Sequence, residues 1–293
     1  MNPTDVYLDH RELLFAIVYG LLGSVADTED VLQETWLAWS ARSARAQSGT
    51  PITHPKAYLV RVAVNQALAR QDAIRRRRET YVGPWLPEPL VTEAGADAGL
   101  LHAESLSLAL LVVLETLTPL ERAVFVLHEV FGYPQAEIAT MLDRSPAAVR
   151  QLAHRAREHV RARRPRRPAD ARLRHALTER FVAALRDGDV TAFLELLAPD
   201  VTLWTDGGGK ARAVPRPVSG RDRVARVLAG IATRYPGRFT VRYRPVNGEL
   251  SLLLEADDTP FGVMVLDLDA GAPAPIREVY TITNPDKMRL PSG

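Results

Sequence analysis

The segment 118–167 carries the signals of two helices joined by a tight turn, which restricts this part of the chain to a helix-turn-helix. Thr118 precedes Pro119 and Glu121, the arrangement of an N-cap, a proline at the first helical position and a capping-box partner. An apolar run follows and ends at Gly132, a residue that commonly terminates helices. The first helix of a pair is therefore predicted here.

The second helix of the pair is predicted to begin at Ser145 and Pro146, after a short helix over 136–142 and a turn at Asp143 and Arg144. Its apolar residues recur at helical spacing and are expected to pack inward. They are Val149, Leu152, Ala153, Ala156 and Val160.

Arginines dominate the rest of this helix and its continuation. Residues 144–167 contain nine arginines and a single acid, Glu158. A solvated basic face is one interpretation, but the second helix of such a pair is the element that enters the DNA major groove. We therefore expect DNA contact. Because arginine binds guanine edges and phosphates alike, residue type does not separate base reading from backbone contact.

Composition limits the class of protein. The chain has 293 residues, 46% of them hydrophobic, which predicts two or three domains and excludes a wholly disordered protein. It contains no cysteine, which excludes disulfides and thiolate zinc sites. No basic signal-peptide start is present, and the longest apolar run, over 106–114, is too short to cross a bilayer. We expect a cytoplasmic protein without a membrane anchor.

Charge reverses sign within the first eighty residues. Residues 1–41 contain seven acids and one arginine, whereas residues 42–78 contain nine basic residues and one acid. Such a reversal suggests two different partners. A helix is expected over 9–22, ended by Gly23, and a second helix capped by Asp27.

The second helix carries an acidic stripe of Asp27, Asp30 and Glu34, while Leu32, Trp36 and Trp39 share another face. An ordinary surface helix with favourable N-terminal charges is the alternative interpretation. A third helix is predicted from Pro55 and ends in four consecutive arginines, which indicates phosphate contacts or a solvated tail.

These motifs together resemble a group 4 (extracytoplasmic-function, ECF) sigma factor of bacterial RNA polymerase. Sigma region 2.2 is matched by DTEDVLQETWLAW, regions 2.3 and 2.4 by HPKAYLVRVAVNQALARQDAIRRRR, and region 4 by residues 118–162. Three further motifs resemble the SigJ-like branch, which has a fused SnoaL-like domain. They are YVGPWLPEP at 81–89, DGGGK at 206–210 and NPDK at 284–287, the last followed by Met288 where that branch usually has leucine.

The resemblance implies partners and contact residues. Core RNA polymerase would be bound at its β′ coiled coil and β flap, with the β′ contacts made by Asp27, Asp30, Glu34 and Trp36. The −10 promoter element would be bound as single-stranded DNA in a positive groove, by Arg61, Asn65, Arg70, Arg75, Arg76, Arg77 and Arg78. The −35 element would be read by Arg144, Ser145, Arg150, His154, Arg155, Arg157 and Arg161.

Residues 81–104 are rich in Pro, Gly and Ala, with four acids and no lysine or arginine. This composition predicts an extended linker, although a tryptophan such as Trp85 in a proline-rich strand is expected to dock on a surface. The predicted division is region 2 at 1–80, linker at 81–104, region 4 at 105–164, a joint at 165–170, a third domain at 171–283 and a tail at 284–293.

The third domain is predicted to be α+β, so that the whole chain has two all-α domains followed by an α+β domain. Helices are expected over 171–186 and 190–197, and strands over 201–205, 239–243, 250–255, 262–267 and 278–283. Its opening resembles SnoaL-like, NTF2-type domains, which form a cone around an apolar cavity. An unidentified small ligand in that cavity is part of this expectation.

Cousins of this fold include enzymes, and Asp206 with Trp204 and Tyr280 is the candidate catalytic group. The alternative is that Asp206 caps a glycine-rich turn. A phosphate-loop interpretation of DGGGK fails because Trp204 and Ala211 stand where the pattern needs Gly and Ser or Thr. The sequence leads us to expect no catalytic residue, cofactor or metal.

In the SigJ-like branch the three motifs are regarded as regulatory contacts. Carried over to this chain, they are Trp85, Leu86, Pro87, Glu88, Pro89, Asp206, Gly207, Gly208, Gly209, Lys210, Asn284, Pro285, Asp286 and Lys287. The sequence therefore predicts an alternative sigma factor modulated in cis by its SnoaL-like domain. A one-component helix-turn-helix regulator with a ligand-sensing domain is the rival, and a tethered enzyme is the weakest alternative.

Overall fold

The computed structural model describes residues 2–46, 52–91, 106–163, 169–234, 239–273 and 275–288. The chain forms two compact units. The helical unit comprises Met1–Glu79 and Gly95–Arg164, and the sheet unit comprises Thr80–Ala94 and Pro165–Gly293. Both predicted sigma regions thus belong to one unit, and the first part of the predicted linker belongs to the other. The PRRP joint at 165–168 lies outside the described residues.

Three long helices begin the helical unit: α1 (Pro3–Leu22), α2 (Val25–Ala46) and α3 (Pro55–Glu79). The first starts six residues earlier than predicted because the Asn2 side chain accepts a hydrogen bond from Thr4 and caps it. The second starts before Asp27 because the Ser24 hydroxyl accepts the N–H of that residue at 3.3 Å. Asp27 therefore lies in the first turn rather than at the cap.

The predicted helix-turn-helix is confirmed. It consists of α4 (Leu108–Leu114), α5 (Pro119–Phe125), a π-helical turn (Val126–Val130), α6 (Gln135–Leu142) and α7 (Pro146–Arg163). Thr118 and Glu121 form the predicted capping box. Asp143 adopts a left-handed conformation in the turn, and the Ser145 hydroxyl caps α7 by accepting the N–H of Ala148 at 3.2 Å.

The apolar face predicted for α7 packs inward. Val149, Leu152, Ala153 and Ala156 are buried, and Val160 is half-buried. No helix among the described residues is both long and apolar enough to cross a membrane.

A buried ionic cluster joins region 2 to region 4 inside the helical unit. Arg122 of α5 is buried and donates to the Gly20 carbonyl of α1 at 2.8 Å and to Glu115 at 2.6 Å. Arg78 of α3 pairs with the same Glu115 and donates to the Leu22 carbonyl at 3.1 Å. Burial lowers the pKa of both arginines. The two regions therefore share one polar core contact.

The sheet unit is α+β, as predicted. Its elements are α8 (Ala171–Asp187), α9 (Val190–Leu196), β1 (Leu197–Asp206), β2 (Val218–Ser219), α10 (Arg221–Arg234), β3 (Phe239–Val246), β4 (Glu249–Ala256), β5 (Thr259–Leu268), β6 (Ile276–Ile282) and a 3₁₀ turn (Pro285–Lys287). The described strands form one sheet in the order β2-β1-β6-β5-β4-β3. β1 and β6 pair in parallel, and the other neighbours pair antiparallel.

Two elements of the sheet unit were not predicted, β2 and α10. The helix begins after Gly220, and its buried Val224, Ala225 and Leu228 recur at helical spacing, a signal present in the sequence. They join a core that also includes Phe181 and Phe193 of the first two helices of this unit.

We predict that Arg122→Met destabilises the helical unit by about 3 kcal/mol, because the Gly20 carbonyl and a Glu115 oxygen lose a buried charged donor. Urea unfolding of the full chain, followed by circular dichroism, measures the change. Arg155→Met is the matched control, since Arg155 is 52% exposed in its pair with Glu121 and should cost less than about 1 kcal/mol. Equal losses in the two variants would contradict the prediction.

Candidate functional site

The acidic stripe of α2 is paired with arginines of α3. Arg70 contacts all three acids of the stripe, with its Nε 3.2 Å from Asp27, one terminal nitrogen 3.3 Å from Glu34 and the other bonded to Asp30. Arg77 reaches the same Asp27 at 2.7 Å. Residues predicted for two separate partners therefore neutralise each other within the helical unit.

Asp27 is the least exposed member of this stripe. Burial by itself would raise the pKa of its carboxyl group, but the hydrogen bonds and charge of Arg77, together with Arg70, outweigh that effect and hold the pKa below its ordinary value. Asp27 therefore stabilises the helical unit, whereas Asp30 and Glu34 are about half exposed and can face a partner.

The stripe continues into an apolar residue that sequence reasoning missed. Leu37 follows Asp30 and Glu34 at helical spacing and is 66% exposed. Its exposure could have been inferred from its position off the buried face. Trp36, predicted to bind polymerase, is half-buried, and its ring centroid lies 5.2 Å from that of Tyr7.

The residues predicted to bind the −10 element divide into two groups. Arg61 and Arg76 are exposed, and Arg75 is exposed beside Glu79 at 3.8 Å. The others already have intramolecular partners. These are Asn65, which donates to the Met141 carbonyl at 3.3 Å, Arg70, Arg77 and Arg78.

The residues predicted to read the −35 element divide in the same way. Arg150 and His154 are exposed on α7, and neither has a side-chain partner among the residues the structure describes; Arg144 is exposed in the turn and contacts a carbonyl. Ser145 is the helix cap. The remaining three form ion pairs: Arg155 with Glu121 at 2.9 Å, Arg157 with Glu129 at 3.1 Å and Arg161 with Glu158 at 3.5 Å.

In the sheet unit, Asp206 at the end of β1 receives hydrogen bonds from the linker. Its carboxylate is fully buried and accepts from the Tyr81 hydroxyl at 2.5 Å and from the Leu86 N–H at 2.9 Å. Lys287 completes the site with its Nζ 2.7 Å from the carboxylate. These residues, together with Trp85 and Asn284, are called the linker clamp below.

Lys287 holds the linker by a second set of contacts. Its Nζ donates to the Leu86 carbonyl at 2.5 Å and lies 4.0 Å from the centroid of the Trp85 ring. Asn284 donates to the Tyr81 hydroxyl at 2.7 Å. Burial, followed by the hydrogen bond and charge of Asp206, raises the pKa of Tyr81, which keeps the phenol protonated as a donor.

The glycines of DGGGK permit close approach to the other motifs. Gly208 has a φ of +60°, and a Cβ there would lie 2.4 Å from the Asn284 amide nitrogen. A Cβ on Gly209 would lie 3.1 Å from Val82 of the linker. Any side chain at Gly208 would therefore displace Asn284. Gly207 is similarly crowded, by the backbone of Ala211.

Lys210 makes a second ion pair between the same two motifs, but an exposed one. Its Nζ contacts both oxygens of Asp286 at 2.6 and 2.8 Å, and the two side chains are 57% and 61% exposed. Two lysine–aspartate pairs thus connect DGGGK with NPDK, one buried and one in solvent. NPDK is therefore a packed part of the sheet unit rather than a tail.

The linker also pairs with the edge of the sheet. Leu90 exchanges two hydrogen bonds with Asn247, at 2.9 and 3.1 Å, and Val91 bridges Val246. Asn247 was missed because nothing local distinguishes it from an ordinary hairpin Asn-Gly turn. Leu86 and its neighbours Pro87, Glu88 and Pro89 are all buried. The described part of the predicted spacer is thus structured.

The predicted apolar cavity is present, with a volume of about 1060 Å³ between α10 and the sheet. Asp206, the candidate catalytic carboxylate, is not among its lining residues. Trp204 donates its ring N–H to Glu278 at 2.7 Å rather than to Asp206. Asp206 therefore serves the linker clamp.

Comparison with known proteins adds family and fold. Residues 6–80 match the model of Sigma-70 region 2, residues 107–160 that of Sigma-70, region 4, and residues 178–257 that of the SnoaL-like domain. The chain is 42% identical over 246 residues to the ECF RNA polymerase sigma factor SigJ of Mycobacterium tuberculosis, covering 82% of this chain and 77% of the relative.

Two further relatives come from the same organism. A probable ECF RNA polymerase sigma factor, SigI, is 29% identical over 282 residues, covering 95% of this chain and 92% of the relative. The crystal structure of the extracytoplasmic function sigma factor SigJ matches with a TM-score of 0.75 at 36% identity, covering 94% of this chain and 95% of that chain.

We predict that Asp206→Asn and Lys287→Met each lower the stability of the sheet unit by about 3–5 kcal/mol, because each leaves an unpaired charge buried. The double variant should lose at least about 1 kcal/mol less than the sum of the two. Urea unfolding of the four proteins measures this coupling. Lys210→Met, which breaks the exposed pair, is the control and should cost less than about 1 kcal/mol; strict additivity at Asp206 and Lys287 would refute the coupling.

Proposed function

This chain belongs to the extracytoplasmic-function RNA polymerase sigma factors, which direct promoter-specific transcription initiation, and from that premise we propose which surfaces do this work. Helix α7 reads the −35 element, α3 binds the −10 element, and the exposed acids of α2 bind core polymerase. The linker clamp restrains the linker and so modulates activity in cis.

The proposal for α7 is supported by its unengaged polar side chains. Arg150 and His154 share one exposed face, and Arg144 precedes the helix in the turn. The N-terminal part of a recognition helix is the part that reaches base edges. Arg155, Arg157 and Arg161 are held by acids, so contact with DNA would require them to exchange partners.

The proposal for polymerase binding is supported by the acidic face of α2, which ends in exposed Leu37. A basic partner such as the β′ coiled coil would compete with Arg70 for Asp30 and Glu34. Displaced from those acids, Arg70 would become available for single-stranded −10 DNA beside Arg61 and Asn65. Polymerase binding would thereby increase the positive charge offered to the promoter. Contact of region 4 with the β flap is proposed from family membership.

The clamp carries the proposal of regulation in cis, and its central observation is that two of the three donors to buried Asp206 belong to the linker. In sequence, this segment connects region 2 to region 4. If polymerase requires the linker in another position, the free energy of releasing it from the clamp is subtracted from the free energy of polymerase binding. The clamp would then reduce initiation in proportion to its stability.

Run-off transcription with core polymerase on promoter fragments tests this role. We expect Tyr81→Phe to raise output, because the linker loses its hydroxyl bonds to Asp206 and Asn284 while the core of the sheet unit is unchanged. Lys210→Met is the control and should leave output within about twofold, since its exposed pair contributes little. Unchanged output from Tyr81→Phe would overturn cis control; failure of every variant to initiate, with tight duplex binding, would favour the one-component regulator.

A second prediction concerns electrostatics. Arg150→Gln should weaken promoter binding by the polymerase–sigma complex and lower its log–log salt slope by about one if Arg150 contacts a phosphate. Fluorescence anisotropy over a range of salt concentrations measures the slope. Arg180→Gln, which removes the same charge from α8 of the sheet unit, is the control and should change neither quantity. Loss of discrimination among −35 sequences at constant slope would instead indicate base reading.

A further inference from the structure

The cavity of the sheet unit has a wall built partly from the regulatory motifs. Residues 211–214, which directly follow DGGGK, line it on one side, and Pro285 and Met288, which flank Lys287, line it on another. The rest of the lining comes from α10 and from the strands and is mainly aliphatic, with Phe261 as its aromatic member among the described residues. Its volume is at the upper end of the range for small-molecule sites.

The charged residues of the lining are all positive. Arg212 and Arg226 line the cavity and are exposed to solvent, and no Asp or Glu occurs among the described lining residues. The Nε of Arg226 donates to the Asp222 carbonyl one turn earlier at 3.0 Å. No ion pair with a described residue occupies either guanidinium. The cavity therefore combines an apolar interior with two cations at solvent-exposed positions.

A polar atom within the wall also lacks a partner. Thr281 of β6 lines the cavity, and its buried hydroxyl has no hydrogen bond with any described residue. The neighbouring Thr205 satisfies its own hydroxyl with the backbone of Val214. A buried unsatisfied hydroxyl in a ligand-sized cavity is explained when a ligand or a water supplies the missing partner.

Gly230 keeps the space open. It lies within α10, and a Cβ built on it would meet nothing within 4 Å. Glycine is a poor helix former, so alanine or leucine would suit the helix better. Open space where a larger helix-favouring residue would fit indicates that the volume itself is used.

We propose that this cavity binds a small amphipathic anion, namely an apolar body bearing a carboxylate, with the carboxylate at Arg226 and Arg212. Binding stabilises the linker clamp. Pro285 and Met288 form wall of the cavity only while segment 285–288 is seated, and the same seating places Lys287 on Asp206. Because the ligand prefers the seated form, it shifts the population toward the clamped linker. Only the transcriptional consequence of this coupling rests on the function proposed above.

Titration of the full chain with decanoate and with decan-1-ol, by isothermal calorimetry, tests the ligand class. We expect decanoate to bind at least about tenfold more tightly, because its carboxylate gains charged hydrogen bonds. Arg226→Gln should remove most of that preference. Arg223→Gln, which removes a charge from the same helix outside the lining, should retain it. Equal binding of the two probes, or no saturable decanoate binding up to about 1 mM, would overturn the proposal.

Gly230→Leu tests the cavity without relying on charge. Leucine enters open space and favours the helix, so the melting temperature should stay the same or rise while decanoate binding is lost. Retained binding in this variant would show that the ligand sits elsewhere and would refute the site.

Hydrogen exchange tests the coupling. The Leu86 and Leu90 amides donate to Asp206 and Asn247, so their exchange should slow when decanoate binds. By reciprocity, Lys287→Met should weaken decanoate binding; unchanged exchange together with unchanged affinity would refute the coupling. These measurements use the purified chain without polymerase, so a failure of the transcription experiment would leave them unaffected, and their failure would leave the clamp's role in transcription open to its own test.

Discussion

The sheet unit depends on one buried ion pair, between Asp206 and Lys287. Removing two charges from water is costly, and their attraction compensates only when further hydrogen bonds satisfy both groups. In this chain the linker supplies those bonds, through the Tyr81 hydroxyl and the backbone of Leu86. The pair and the linker therefore stabilise each other. A segment composed like a free spacer becomes part of a folded unit.

The helical unit follows the same principle at its surface. Arg70 bridges the acids of α2, and the buried cluster of Arg78, Glu115 and Arg122 joins region 2 to region 4. Groups suited to polymerase and to DNA are thus partly occupied by one another. Binding either partner becomes an exchange of ion pairs, in which the free energy gained outside is reduced by the contacts given up inside.

The cavity and the clamp share one segment of chain. Residues 285–288 contribute Lys287 to the clamp and two neighbouring side chains to the cavity wall. Packed segments of this kind move as a unit because their side chains interlock. An apolar site and a polar latch can therefore influence each other without a long path between them, which gives a SnoaL-like domain a physical means of acting on a sigma factor.

The sequence by itself determined the features that are encoded within a few residues. Thr118 with Glu121, Ser145, Asp170 and Gly188 ended or began helices where predicted, since caps act over a single turn. Tertiary structure decided the pairings that join distant residues, such as Tyr81 with Asp206, 125 positions apart. It also decided which arginines remain exposed. Local composition cannot reveal those choices, because the partner of a charge is set by the folded chain.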